Sequence, residues 1–203
     1  MYRSFFKRVI DFLFSFLGLL LISPIFLIVL VLLYIFNEGK PFFFQERPGM
    51  NEKIFRIIKF KTMNDKKGND GELLPDSERL TKVGSIIRKT SLDELPQLLN
   101  VIKGDMSLIG PRPLLLRYLP FYTDKERIRH TIKPGITGWA QINGRNTVSW
   151  DERLAYDVEY VKKLSFMFDV KILYKTVLKI IVSEDIVIDP ESIMKNFDDE
   201  RRI

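Results

Sequence analysis

An uncharged run near the N-terminus constrains this chain most. It extends over residues 12–36, and nearly all of these 25 residues are phenylalanine, leucine, isoleucine or valine. About 20 apolar residues span a bilayer as a helix, so the run predicts a membrane segment. A signal peptide is a poor alternative, because no small-residue cleavage site follows and residues 37–40 lead straight into further aromatic sequence. A buried core helix is a second alternative, but a chain of 203 residues can hardly surround it on all sides.

Ser23 and Pro24 lie in the middle of this run and leave its course open. Proline lacks an N–H and clashes with the carbonyl four residues back, here Leu20, and Ser23 could hydrogen-bond a freed carbonyl inside lipid. The arms on either side are each about 16–18 Å long, roughly half a hydrocarbon core. The segment alone therefore permits two courses equally: a re-entrant hairpin that enters and leaves by one face, or an ordinary kinked spanning helix.

Charge divides the chain into a basic body and an acidic end. The net charge is +6, but residues 184–203 hold seven acids and three bases, which leaves +10 on the rest. A basic body favours an anionic partner, such as nucleic acid, anionic lipid or a phosphorylated substrate. The chain has no cysteine and one histidine, His130, which excludes disulfides, thiolate metal sites and His-rich metal sites. We expect His130, in a charged stretch, to be a solvated surface residue.

Two adjacent carboxylates, Asp93 and Glu94, stand shortly before a proline and an apolar helical run. Pro96 is tolerated in the first turn of a helix, which makes Asp93 the best capping residue. In a competing register Ser91 is the cap and Glu94 closes a capping box. In either register the backbone N–H groups and the helix dipole favour anions here. Simple helix capping is the structural alternative to a chemical role.

Arginines near glycine and proline are candidate anion ligands. Arg112 stands between Pro111 and Pro113, whose rings restrict its backbone, which suits a guanidinium that must meet a phosphate bidentately. The alternative is a proline-rich corner with a solvent-facing arginine. Arg145 follows the glycine-punctuated residues 134–144, whose backbone N–H groups can approach phosphate closely. Neither a P-loop nor a Rossmann glycine pattern occurs, so those folds lose support.

The rest of the body predicts short elements. Residues 54–61 read as a strand and residues 82–89 as a short helix. Apolar residues at helical spacing predict a core helix: Trp150, Leu154, Val158, Val161 and Leu164. Lysines four apart predict an amphipathic helix that lies on anionic lipid or presents a solvated lysine face: Lys171, Lys175 and Lys179. The acidic end from residue 184 is expected to be peripheral.

Longer motifs make the chain similar to a known family. They are FKTM at 60–63, KTSLDELPQ at 89–97, NVIKGDMSLIGPRP at 100–113, PGITGW at 134–139, Gln141 and GRN at 144–146. Over roughly residues 3–183 the chain resembles the bacterial sugar transferases, the monotopic phosphoglycosyl transferases. It is similar to the short members, which lack extra membrane helices in front.

The resemblance implies a two-step, Mg²⁺-dependent transfer. Asp93 attacks the β-phosphate of a UDP-sugar and releases UMP, and the sugar phosphate then passes from Asp93 to a polyprenyl phosphate, undecaprenyl phosphate. The first expectation for the donor is UDP-diacetylbacillosamine, at the start of glycoconjugate biosynthesis and protein glycosylation. Both Asp93 and Glu94 are expected metal ligands. Whether Glu94 serves as metal ligand or as base stays open.

Residue chemistry is compatible with this expectation. A carboxylate can be a covalent nucleophile on phosphorus, and attack by an anion on a diphosphate requires charge neutralisation. Mg²⁺, Arg88, Arg112 and Arg145 can supply it, since Mg²⁺ prefers a few carboxylates plus substrate phosphates. Lys59 is a further candidate contact for phosphate or phospholipid. Asp169 lies in a matching region, with either a nucleotide-binding or a structural role.

The location of the substrate decides between the two membrane courses. Arg3, Lys7 and Arg8 precede the apolar run, and this basic flank predicts a cytoplasmic N-terminus. Nucleotide sugars are cytosolic too, so both ends of the run must lie on one side. We therefore predict a re-entrant helix that breaks at Ser23 and Pro24. The active site is expected on the cytoplasmic face of the bacterial inner membrane.

The predicted fold is α+β and mostly helical, with three parts. Residues 1–40 form the re-entrant membrane hairpin with its basic flank. Residues 41–185 form a small globular catalytic domain with amphipathic interfacial helices, and residues 186–203 form an acidic extension. The expected partners are a UDP-sugar, a polyprenyl phosphate and the phospholipid bilayer.

A competing hypothesis is a non-enzymatic, membrane-anchored protein whose basic body binds nucleic acid or anionic lipid. Aromatic and basic residues alternate around residues 55–61, which suits that function. However, no recognised nucleic-acid module occurs, and the adjacent Asp93 and Glu94 would repel phosphate unless a metal intervened. We therefore expect no nucleic-acid partner.

Overall fold

The computed structural model describes residues 1–144, 148–182 and 196–202. Within these ranges the chain is mostly helical with two small sheets, which agrees with the α+β prediction. The helices are α1 (Lys7–Phe36), α2 (Asp76–Arg79), α3 (Lys82–Lys89), α4 (Gln97–Lys103), α5 (Asp124–Arg127), α6 (Trp139–Gly144), α7 (Trp150–Lys163), α8 (Phe166–Val182) and α9 (Phe197–Arg201). The strands are β1 (Phe42–Pro48), β2 (Ile54–Phe60), β3 (Ser107–Ile109) and β4 (Gly135–Thr137). The division at residues 40 and 185 stays a prediction.

The apolar run forms α1, which is helical through Pro24. The Ser23 hydroxyl donates a 2.7 Å hydrogen bond to the carbonyl of Leu20, the group to which proline cannot donate. With the turn before it the helix covers Tyr2–Phe36, which is long and apolar enough to cross a membrane. Much of its apolar surface is exposed, and Leu21 is 82% exposed. These properties agree with a membrane segment, while a re-entrant course stays a prediction.

The start of α1 is attached to the body through polar groups. Arg8 donates hydrogen bonds to the carbonyls of Val101 and Ile102 near the end of α4. Carbonyls in the last turn of a helix attract cations. The buried carboxylate of Asp11 accepts a hydrogen bond from the backbone N–H of Leu108 in β3. The N-terminal half of α1 therefore contacts α4 and β3.

The end of α1 packs on the same body. Leu33 is fully buried in a cluster with Phe60 of β2 and Ile87 of α3. Asn37, the residue after the helix, donates its side-chain amide to the carbonyl of Lys61. Both ends of the apolar helix thus touch the body, and its middle does so least.

Strands β1 and β2 form an antiparallel hairpin. Phe43 pairs with Lys59, and Arg47 pairs with Phe55. Opposed residues in an antiparallel pair point to the same face, and so do residues two apart along a strand. Lys59 and Arg47 therefore share one face of the hairpin. Phe55 and Ile57 on that face are buried against Val101 and Met106, whereas Phe60 on the opposite face packs against α1.

Strands β3 and β4 run parallel and fix the start of the loop at residues 110–113. Ser107 pairs with Gly135. A Cβ atom at Gly135 would lie 2.0 Å from the backbone N of Gly110, and one at Gly110 would lie 2.5 Å from the carbonyl of Lys133. Both positions require glycine because two backbones meet here without room for a side chain.

Helices α7 and α8 are confirmed as the core helix and the amphipathic helix. Trp150, Leu154 and Val158 are buried. Lys171 and Lys175 lie over the ring of Trp139 at 5.3 and 5.5 Å, so these two lysines make cation–π contacts. Helix α8 also exposes apolar side chains at helical spacing: Phe166, Met167, Val170, Leu173, Tyr174, Val177 and Leu178.

Two expectations from the sequence are wrong. The described part of the acidic end is not peripheral, because Phe197 of α9 is fully buried within 5.3–5.5 Å of the rings of Tyr118, Tyr122 and Trp150. His130 is not a surface residue either. It is 6% exposed and its ring packs edge-on against Tyr122 at 5.4 Å. In both cases a ring finds aromatic partners that are distant in sequence.

Candidate active site

The acidic pair lies in a separate turn between α3 and α4. Ser91 takes a left-handed conformation with φ 55°, and Asp93 and Glu94 follow in a 3-10 turn. Helix α4 begins only after Pro96, and neither turn nor helix has a side-chain cap. Both predicted capping registers are therefore wrong, because the left-handed residue starts a new turn ahead of the helix. The two carboxylates remain available for other contacts.

Glu94 is held by two cations. Lys59 Nζ donates to Glu94 Oε1 at 2.8 Å, and Arg112 Nη2 donates to the same oxygen at 2.7 Å. Burial opposes ionisation of this carboxyl, but Arg112 and Lys59 outweigh burial and hold its pKa well below the usual range. Glu94 is consequently a fixed anion that keeps two cations in place.

Asp93 is held more loosely. Its side chain is 15% exposed, and the ion pair that it makes, with Lys59 Nζ, is long at 3.8 Å. Burial raises the pKa of this carboxyl, Lys59 counteracts that shift, and the negative charge of Glu94 adds to it. The two adjacent acids thus have opposite electrostatic environments, a pattern by which paired carboxylates take different chemical roles.

The cations around the pair come from three elements. Lys59 lies on β2, Arg88 near the end of α3, and Arg112 in the loop at residues 110–113. Arg88 Nε donates a 2.8 Å hydrogen bond to the hydroxyl of Thr62, and its charge acts on Asp93. The structure therefore brings three of the four predicted phosphate ligands to the acidic pair.

A buried ion pair beneath Arg112 was not predicted from the sequence. Arg129 Nε and Nη2 donate to Asp157 Oδ2 at 3.0 and 2.9 Å, and both side chains are at most 3% exposed. Arg129 Nη2 also donates to the carbonyl of Arg112 at 2.6 Å. Burial raises the pKa of Asp157, and the guanidinium of Arg129 counteracts that shift. No spacing rule connects residues 28 positions apart, so only the fold shows this pair.

Asp169 belongs to a polar network away from the acidic pair. It accepts hydrogen bonds from the hydroxyl of Tyr2 at 2.6 Å, Lys7 Nζ at 2.7 Å and the hydroxyl of Tyr160 at 2.6 Å. The Tyr160 hydroxyl also lies 3.1 Å from the carbonyl of Ile109, just before residues 110–113, here called the arginine loop. Of the two roles expected for Asp169, these contacts favour the structural one, since they join the N-terminal segment to α7 and α8.

The remaining predicted residues lie elsewhere. Arg145 falls outside the described residues. Ser23 and Pro24 lie in the middle of α1 and not at the acidic pair. Their predicted role concerns the course of the membrane segment.

The donor set at the acidic pair fits Mg²⁺. Across residues 1–144, 148–182 and 196–202, no group of three or more histidine, aspartate and glutamate side chains could hold a metal alone. Mg²⁺, however, is usually held by one or two carboxylates together with substrate phosphates and waters. Asp93 and Glu94 provide two adjacent carboxylates for such a shared site. The Mg²⁺ requirement stays a prediction.

An acidic pair of unequal environment, surrounded by cations beside a long apolar helix, defines a site suited to phosphate chemistry. The chain belongs to the bacterial sugar transferase family, whose profile matches residues 2–183. The sequence-based assignment to this family of enzymes is confirmed, and it favours an enzyme over the non-enzymatic alternative.

Three relatives illustrate the family. The chain is 60% identical over 149 residues to the uncharacterized sugar transferase EpsL of Bacillus subtilis (strain 168), covering 73% of this chain and 74% of that protein. It is 40% identical over 185 residues to the UDP-glucose:undecaprenyl-phosphate glucose-1-phosphate transferase of Escherichia coli (strain K12), covering 85% of this chain and 39% of that protein. It is 38% identical over 190 residues to the UDP-N-acetylgalactosamine-undecaprenyl-phosphate N-acetylgalactosaminephosphotransferase of Aeromonas hydrophila, covering 88% and 44%. The chain spans less than half the length of the last two proteins.

Proposed function

We propose that this enzyme moves a sugar 1-phosphate from a UDP-sugar to undecaprenyl phosphate and releases UMP, as an initiating step of glycan synthesis. The names of the E. coli and A. hydrophila relatives describe transfers of this class. The observation that carries the proposal is the unequal acidic pair. Glu94 is fixed by Lys59 and Arg112, whereas the partly exposed Asp93 makes only a long ion pair and is poised to attack.

Asp93 is the nucleophile of the proposed reaction. In the first step its carboxylate oxygen bonds to the β-phosphorus, and the bond from that phosphorus to the bridging oxygen breaks, so the electron pair leaves with UMP. In the second step an oxygen of undecaprenyl phosphate bonds to the same phosphorus and the Asp93 carboxylate leaves. A carboxylate whose pKa is raised by burial is the stronger nucleophile of the two acids.

Glu94 acts by holding cations and not as a base. Both nucleophiles in the proposed reaction are already anions, so neither step needs a proton removed. A carboxyl with a strongly lowered pKa would also be a poor base. Its ion pairs keep Lys59 and Arg112 beside the phosphates, where they stabilise the developing charge without reorganisation. Held by Asp93 and Glu94 with the substrate phosphates, Mg²⁺ would supply further charge neutralisation.

The contacts at both ends of α1 support the re-entrant course. A straight helix would separate the Cα atoms of Arg8 and Asn37 by about 43 Å. Their partners on the body are much closer together. Arg8 bonds to Val101, whose neighbour Asn100 bonds to the backbone N–H of Ile58 at 3.0 Å. Asn37 bonds to the residue three positions beyond Ile58, about 10 Å along a strand.

A bend at Ser23 and Pro24 brings both ends of the helix to one body. The active site then lies on the cytoplasmic face of the bacterial inner membrane, where UDP-sugars are found. The exposed apolar stripe of α8 supports a body that rests on the lipid surface. This topology has a direct test because the chain contains no cysteine. Ser4→Cys and Lys40→Cys should react with an impermeant thiol reagent from the same side, and labelling from opposite sides would exclude the hairpin.

The decisive assay for activity is UMP release from a panel of UDP-sugars with undecaprenyl phosphate and Mg²⁺. The panel contains UDP-diacetylbacillosamine, the first expectation, and the glucose and N-acetylgalactosamine donors named in the relatives. Wild type should release UMP from at least one donor, and Asp93→Asn from none. Acid-quenched wild type should carry radiolabelled sugar phosphate, and Asp93→Asn should not. Equal UMP release by wild type and Asp93→Asn across the panel would overturn the proposal.

A further inference from the structure

Arg47 on β1 is a partly buried cation that the proposed mechanism does not use. Its Nη2 donates to Gln45 Oε1 at 2.5 Å, while its Nε is buried without a hydrogen-bond partner. No carboxylate among the described residues lies within salt-bridge distance of it. Burial, and then the charge of Arg112, lowers the pKa of Arg47 to about 10, so the group is still charged at neutral pH.

Arg47 extends the row of cations that begins at the acidic pair. Lys59 and Arg47 share one face of the β1–β2 hairpin, about 13 Å apart along the strands. Arg112 is near both ends of this row, since it bonds to Glu94, as Lys59 does, and lines one small cavity with Pro48, the residue after Arg47. The carboxylates neutralise the Lys59 end of this row and leave the Arg47 end without an acid.

Two guanidinium groups in a partly buried place repel one another and favour an anion between them. A buried charge is normally paired, and leaving one unpaired is costly. Among the described residues, the side-chain hydrogen bond of Arg47 goes to the amide oxygen of Gln45, which carries no charge. An anionic ligand would therefore complete the pairing of the Arg47 charge.

We propose that Arg47 and Arg112 form a subsite for a phosphate monoester, and that the group bound there is the phosphate of the departing UMP. This assignment rests on the proposed function. In phosphoryl transfer the attacking and leaving oxygens lie roughly in line across the phosphorus. Asp93 attacks from the Lys59 end, so the leaving phosphate lies beyond Arg112, toward Arg47. The same in-line requirement makes this the entry point of the acceptor phosphate once UMP has left.

Direct binding to the full-length protein tests the subsite without requiring turnover. Radiolabelled UMP, uridine and a short-chain polyprenyl phosphate are titrated against wild type, Arg47→Gln and Arg56→Gln. Arg56 is a matched control because it lies on the same hairpin, with an exposed side chain 3.8 Å from Glu46. We expect Arg47→Gln to bind UMP about tenfold more weakly, or worse, because it loses a charge-assisted contact, and to bind uridine as wild type does. Arg56→Gln should bind both ligands as wild type does.

Each outcome has a defined meaning. Arg47→Lys should recover part of the UMP affinity, because it restores the charge but not the fork of donors. Unchanged UMP binding in Arg47→Gln overturns the subsite, and so does an equal loss for UMP and uridine, which indicates a structural role. A loss for the polyprenyl phosphate alone overturns the assignment to UMP. Failure of the transferase itself would appear separately, as wild type that binds UMP but releases none from any donor.

Discussion

Asp157→Asn should destabilise the enzyme strongly, although residue 157 contacts neither acid of the site. Its carboxylate neutralises Arg129 through two hydrogen bonds in a region where both side chains are at most 3% exposed. Removing one partner of such a pair leaves an uncompensated buried charge and costs about 3–5 kcal/mol. For a chain of this size that corresponds to a fall of about 6–20 °C in Tm.

A double variant separates stability from function. Replacing a buried ion pair by apolar residues of similar volume is often neutral or stabilising, so Arg129→Met/Asp157→Leu should regain most of the lost Tm. It cannot regain the hydrogen bond to the carbonyl of Arg112. A displaced Arg112 should therefore lower kcat/KM for UMP release about 10–100-fold, the cost of misplacing a group by about 1 Å.

The assays are differential scanning fluorimetry and UMP release, the latter run at least 10 °C below the Tm of each variant. Lys163→Gln on the same helix is the control, because it breaks an exposed ion pair with Glu159 and should change stability by less than about 1 kcal/mol. If Asp157→Asn lowers Tm by less than about 3 °C, the buried charge of Arg129 does not need Asp157 for stability. Full kcat/KM in the double variant would show that Arg129 does not position Arg112.

Three further predictions concern single residues. Asp93→Asn should raise Tm at pH 7.5, measured without substrate or Mg²⁺. Burial raises the pKa of Asp93 in the folded protein, so its charged form opposes folding, and a lower Tm in the variant would contradict this. Burial lowers the pKa of His130 to about 3 in the folded protein, against about 6.5 in the unfolded chain, so the folded state binds fewer protons. The free energy of unfolding, measured with urea, should therefore fall by about 2 kcal/mol between pH 7.5 and pH 5. In His130→Gln this pH dependence should be lost. Phe197→Ala should lower stability by about 3 kcal/mol in the same measurement, and an unchanged midpoint would show that α9 is not docked in solution.

The sequence was sufficient for features that depend on local pattern. The apolar run predicted α1, and the 54–61 stretch predicted β2. Arg112, predicted between two prolines as a phosphate ligand, lies beside the acidic pair and bonds to Glu94, while its role toward phosphate stays a prediction. In each case the information lies within a few consecutive residues or in one helical period.

The sequence failed where a residue's partner is distant along the chain. Helix capping is the ordinary use of an acid before a helix, and nothing local shows that Ser91 turns left-handed and removes Asp93 from that role. His130 stands among charged residues, yet the fold surrounds it with Tyr122 and neighbouring backbone. Arg129 was one basic residue among many until the fold placed it against Asp157.

The arginine loop explains why these distant contacts matter to the chemistry. In this loop the carbonyl of Arg112 accepts a hydrogen bond from Arg129, and the carbonyl of Pro111 accepts one from the backbone N–H of Gly135. Just before the loop, the carbonyl of Ile109 lies 3.1 Å from the Tyr160 hydroxyl. These contacts hold the backbone of the loop, and the Arg112 guanidinium is held separately by Glu94. Tyr160 also bonds to Asp169, which binds Lys7 at the start of the apolar helix. The residues that attach the start of α1 to the body are thus linked, through Asp169 and Tyr160, to the strand that leads into the loop carrying Arg112.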